Sequence, residues 1–126
     1  MAAIIVALVD DIFFLAKIQE TAKAIGVKVL TPSLERGTAA IAEAEPRLIL
    51  LDLNSRRVSA VDMIKSLKSD PNTAGIRIVG FVSHVQEQLI SEARASGCDS
   101  VMARSAFTQQ LPNLLQSFVT EDNKAC

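Results

Sequence analysis

Two short apolar runs in this 126-residue chain each stop at an acid, and no other feature limits the fold as much. Ala3-Ile4-Ile5-Val6-Ala7-Leu8-Val9 ends at Asp10-Asp11, and Arg47-Leu48-Ile49-Leu50-Leu51 ends at Asp52. Continuous apolar runs of this length read as fully buried strands. Strands buried on both faces belong to parallel sheets covered by helices, and in an open sheet of that kind the carboxyl ends of the strands form the site crevice. Two strands ending in acid at the same edge would bring three carboxylates together. Like charges that close require a bound cation or a raised pKa, and a small Mg²⁺ site is the simplest solution.

The remaining chain alternates in the same way. Residues 3–9 form the first strand, and a helix over 12–25 carries Leu15, Ile18, Ala22 and Ile25 at helical spacing before Gly26 stops it. Val27 to Leu30 is a short second strand, with Thr31-Pro32 as cap and first helical residue. An alanine-rich helix over about 34–44 ends before Pro46, and strand three covers 47–52. A helix over 60–69 ends at Asp70-Pro71-Asn72. Strand four runs from Ile76 to Val82 with Gly80 inside it, a position that permits close approach. A fourth helix over 85–96 ends at Gly97, and strand five covers 99–103. A last helix over 107–119 contains Pro112, which predicts an early irregularity, and the end of the chain from Glu121 should fray. Five strands alternating with five helices make a three-layer α/β sandwich with right-handed crossovers. One domain over residues 1–120 with a flexible tail at 121–126 is expected.

Composition narrows the function. Thirteen basic against 14 acidic residues leave a formal charge of −1, too little for bulk electrostatic capture of nucleic acid. The longest apolar run, Met1 to Val9, is too short to cross a membrane and lacks the flanks of a secretory signal. Cys98 and Cys126 form neither a metal-ligand cluster nor a disulfide framework, so a reducing, cytoplasmic setting is the expectation. His84 is the single histidine, which leaves no histidine-based metal cluster or catalytic dyad. No glycine-rich phosphate loop follows a strand.

The order of elements, with Val9-Asp10-Asp11 and Leu50-Leu51-Asp52-Leu53-Asn54, resembles the receiver domain of two-component response regulators, above all the single-domain, chemotaxis-type members. The resemblance covers nearly the whole chain and implies a flavodoxin-like sheet in the order 2-1-3-4-5. It implies that Asp52 accepts a phosphoryl group from a histidine kinase or phosphotransfer protein. Mg²⁺ would be held by Asp10, Asp11, Asp52 and the backbone carbonyl of Asn54, and the output would be binding to a downstream protein. Ser83, with a slip of one residue, matches the family's phosphoryl-gripping hydroxyl, and Arg104 falls where the family has a lysine. Three departures accompany these matches. Ser105 replaces the proline that follows that lysine, Val101 stands where many receivers carry an aromatic, and no Met-Pro pair follows the acceptor loop.

Plainer roles compete at each position. Asp10 and Asp11 also suit a helix cap and a first-turn acid. Ser83-His84-Val85-Gln86 fits a capping box, with His84 a rim or cap residue. Arg104 reads equally as a surface arginine, and Arg56-Arg57 as an anion or partner surface or a solvated loop. Cys98 suits buried packing. Two functions follow: a stand-alone receiver-like signalling module, not an enzyme in its own right, and a pseudo-receiver or adaptor that binds a partner without phosphorylation. A small Mg²⁺-dependent phosphatase is disfavoured, because Asn54 stands where a second acid would be needed.

Overall fold

The structure is a computed structural model that describes residues 3–33, 37–83 and 86–125, with side chains described as far as Phe118. Its elements alternate strictly: β1 (Ile4–Leu8), α1 (Ile12–Ile25), β2 (Lys28–Leu30), α2 (Ala39–Ala44), β3 (Leu48–Asp52), α3 (Ala60–Ser69), β4 (Arg77–Val82), α4 (Glu87–Ser96), β5 (Ser100–Ala103) and α5 (Arg104–Ala125). The five strands form one parallel sheet in the order β2-β1-β3-β4-β5. Both the α/β class and the strand order are as expected from the sequence.

Because strand side chains alternate between faces, each apolar run feeds two cores. Ile5, Ala7, Leu48, Leu50, Val79 and Phe81 pack under α1 and α5, against Phe14, Ile18, Phe107 and Leu111. Val6, Leu8, Ile49, Leu51, Ile78 and Val82 face the other way, against Ile41 of α2, Ile64 and Leu67 of α3 and Ala93 of α4. All five residues of β3 are buried, which explains why its sequence is apolar without alternation. On α1 the deepest stripe is Phe14, Ile18 and Ala22, spaced by four, with Leu15 and Ile25 packed at its margin.

Three local expectations need correction. Thr31-Pro32 does not open α2: residues 31–33 are non-helical, 34–36 lie outside the described residues, and the described helix is Ala39–Ala44 behind Thr38. Gly37, at φ 64°, has a left-handed backbone through which a right-handed helix cannot run. Ser83 does not cap α4 either, since that helix starts at Glu87 with Gln86 as its N-cap; His84 and Val85 lie outside the described residues. α5 starts at Arg104, directly after β5, three residues earlier than expected. The helix runs to Ala125 and contains Pro112.

Gly80 of β4 makes room for a side chain. A Cβ there would lie 3.0–3.2 Å from three side-chain carbons of Leu53, which is itself buried. The Gly80→Ala variant should therefore be destabilised by about 1 kcal/mol through overpacking, measured as a lower midpoint in urea unfolding. Combined with Leu53→Ala, the two changes should cost less than the sum of their separate losses, because neighbouring substitutions are not additive.

Candidate functional site

Parallel pairing puts the acids at one edge. Leu8 lies opposite Leu51 in the β1–β3 ladder, so Asp10 and Asp11 beyond β1 and Asp52 at the end of β3 emerge at the same end of the sheet. From there the three carboxylates take different partners.

Asp11 is the N-cap of α1, where its Oδ1 accepts from the amides of Phe13 (2.9 Å) and Phe14 (3.2 Å). Its Oδ2 accepts from Arg104 Nη2 at 2.9 Å. The hydrogen bond from Arg104 and the helix amides hold the Asp11 carboxyl below the usual carboxylate value. The guanidinium of Arg104 also lies over the Phe14 ring, 4.1 Å from its centroid. A planar cation can pair with the acid and stack on the ring together; a lysine ammonium has no plane to stack.

Asp10 turns to the loop after β3. Its Oδ1 accepts from Ser55 Oγ (2.8 Å) and Arg57 Nε (3.2 Å), and its Oδ2 accepts from the Arg56 amide (2.8 Å). Burial pushes its pKa up, but the Arg56 amide, the Ser55 hydroxyl and Arg57 outweigh it and leave a net lowering. Ser55 braces the loop by accepting at Oγ from the amides of Arg57 and Val58, both at 3.2 Å.

Asp52 is only 8% exposed. Its Oδ1 accepts from the Asn54 amide at 2.9 Å. Burial raises its pKa, and the negative charge of Asp10 adds to the rise against the smaller opposing pull of the Asn54 amide and Arg104. Asn54 does more than supply a backbone. Its Oδ1 accepts from the Ser83 amide (2.8 Å) and its Nδ2 donates to Gln86 Oε1 (3.2 Å), joining the loop after β3 to the loop after β4.

Three carboxylates and the backbone carbonyl expected of Asn54 would make an all-oxygen donor set of the kind that hard divalent cations take, so the residue types suit Mg²⁺. In this conformation both oxygens of Asp10 and both of Asp11 already accept hydrogen bonds from the chain itself. Among the described residues no three His, Cys, Asp or Glu side chains are placed to hold a metal ion. The expected acids thus share the edge without closing round a common point. Ser83 is exposed at the end of β4, and Arg104 faces Asp11 and Phe14.

No protein-family model matches the sequence, and no curated protein matches it. Solved structures do match along nearly the full length. A response regulator receiver domain protein (CheY-like) from Methanospirillum hungatei JF-1 superposes with a TM-score of 0.80 at 14% identity, covering 100% of both chains. The phosphorylated cyanobacterial phytochrome response regulator RcpA gives 0.74 at 22% identity, over 94% of this chain and 91% of that one. The Mn²⁺-bound form of response regulator Rcp1 gives 0.72 at 20% identity, over 91% and 90%. The chain has the receiver-domain fold.

On that fold, sequence reasoning found Asp10, Asp11, Asp52, Asn54 and Arg104 at or beside one edge, but missed Ser55, Phe14 and the carboxamide of Asn54. Ser55 carries a faint signal, a small hydroxyl residue opening a polar turn. The pairing of Arg57 with Asp10 spans 47 residues and has no local signature.

Two outcomes follow. Folding favours the protonated form of Asp52, so its charge costs stability as pH rises above the ordinary value of 3.8 and through the higher folded-state value. Asp52→Asn should therefore raise the urea midpoint near pH 7 in metal-free buffer, with the gain vanishing as pH falls below that ordinary value. At the N-terminus of α1, Asp11→Asn keeps a cap and loses the charge, whereas Asp11→Ala loses both. Thermal melts should rank the wild type and Asp11→Asn above Asp11→Ala.

Proposed function

We propose that this chain is a receiver-like signalling module that accepts a phosphoryl group on Asp52 with Mg²⁺ and alters its binding to another protein in response. The observation that carries this reading is Asp52 itself, a buried carboxylate at the end of the central strand β3, beside Asp10 and Asp11 on a receiver fold. Phosphorylated RcpA and Mn²⁺-bound Rcp1, both of similar fold, support it.

In the transfer, a carboxylate oxygen of Asp52 attacks phosphorus while the bond to the donor's leaving group breaks and its electron pair departs with that group. Asp10, Asp11, Asp52 and the carbonyl of Asn54 would hold Mg²⁺, which when bound neutralises charge on the carboxylate and the transferring phosphoryl group. Asp52 must be ionised to act. The positive charge of Arg104 favours that form, while burial and Asp10 oppose it. The donor would be a histidine kinase or phosphotransfer protein, and the output a binding event with a downstream protein in the cytoplasm. The module is not an enzyme in its own right. Ser83, at the end of β4, and Arg104, at the start of α5, would contact the phosphoryl oxygens.

A pseudo-receiver that binds its partner without phosphorylation has its own support. Arg104 is already engaged by Asp11 and stacked on Phe14, and Asp10 is already bonded to the loop after β3.

Intact-mass measurement after incubation with Mg²⁺ and a small phosphoryl donor separates the two. The signalling module should gain one phosphoryl group, lose the gain in chelator, and show none as Asp52→Asn. No gain under conditions that modify a control receiver would favour the adaptor.

A further inference from the structure

The contacts of Arg57 point to a role that the phosphoryl-transfer reading leaves unassigned. Its Nε donates to Asp10 Oδ1 at 3.2 Å, and its Nη2 donates to the backbone carbonyl of Val9 at 3.3 Å. The guanidinium thus grips the two residues just beyond β1, Val9 at its carbonyl and Asp10 at the carboxylate that the cation needs. Ser55 Oγ and the Arg56 amide take further positions on the same carboxylate. An ionised carboxylate offers about four lone-pair positions, and the loop fills three of them. Arg56 provides an internal contrast, because only its backbone amide reaches Asp10.

We infer that Arg57 is a built-in counter-ion that competes with a divalent cation for Asp10, so that the loop at 55–57 is a latch which sets cation affinity. The inference rests on the metal-binding part of the proposed function. A cation bound to Asp10 meets the guanidinium as a like charge; the one position the loop leaves open is on Oδ2, and approach to Oδ1 must displace Arg57 or the Ser55 hydroxyl. The Arg57 side chain is 73% exposed, so it can swing into water without unpacking the core. Exposed ion pairs are weak, so the latch tunes the affinity and does not abolish it.

Calorimetric titration of the full chain with MgCl₂ and with MnCl₂, at fixed ionic strength, tests this directly and needs no phosphoryl donor. Arg57→Ala should bind both cations about 2- to 5-fold more tightly than wild type. Arg56→Ala removes the same charge from the adjacent residue and should change affinity clearly less. Arg57→Gln, which keeps length and loses charge, should follow Arg57→Ala and stands in for it if the alanine variant unfolds. Unchanged or weaker binding in both Arg57 variants would overturn the latch while leaving the phosphoryl-acceptor reading intact. Equal tightening in Arg56→Ala would overturn it too, as a bulk charge effect. Absence of binding in every variant would remove both the latch and the metal site.

Discussion

The parallel pairing of β1 with β3 is the constraint on which the other features depend. Once Leu8 faces Leu51, the acids that follow each strand must emerge side by side, whatever the loops do afterwards. The sheet can hold that register because both strands are buried on both faces, so a slip of one residue would exchange the two helical layers' entire sets of contacts. Electrostatic repulsion at the edge is therefore imposed by apolar packing in the interior. The chain answers it locally with Arg104 on Asp11 and Arg57 on Asp10, while among the described residues no arginine is hydrogen-bonded to Asp52.

The same edge is continuous with the core. Asp52 lies opposite Phe81 in the β3–β4 ladder, and Phe81 stacks on Phe107 of α5 at 4.8 Å and meets Phe14 of α1 edge-on at 5.1 Å. Arg104 rests on the Phe14 ring. A guanidinium at the start of α5 and the strand position of Asp52 are thus joined by a chain of three packed phenyl rings. Displacement of Arg104 would uncover part of the aromatic cluster, so the state of the acidic edge and the seating of α5 are not independent.

What the sequence made legible was whatever depends on periodicity or on a single residue type. Continuous apolar runs identified the buried strands, the acids marked their ends, and Gly26 and Gly97 marked two helix stops that both adopt left-handed φ. What it hid depends on closure between distant segments. Ser83 has every local attribute of a helix cap, yet its amide is taken by Asn54, 29 residues away, and α4 starts later. Thr31-Pro32 is an equally good local start, overridden by the backbone at Gly37. Asp10 and Asp11 are adjacent and chemically identical, but α1 needs only one cap, so one carboxylate turns to the helix and its neighbour to a loop 45 residues on. The burial of Phe14 was equally hidden, because Ile12 and Phe13 beside it are as apolar and stand 71% and 82% exposed.

Asn54 bonds through its backbone to Asp52 and through its side chain to Ser83 and Gln86, so one residue belongs to two networks. Thermodynamic linkage makes such a junction reversible. Any event at Asp52 that repositions Asn54 changes the free energy of docking at the start of α4. Any change at the start of α4 that favours one position of Asn54 alters, by the same free energy, how readily Asp52 carries charge. The linkage across this edge has no built-in direction: whatever shifts the start of α4 acts on Asp52 as much as Asp52 acts on the start of α4.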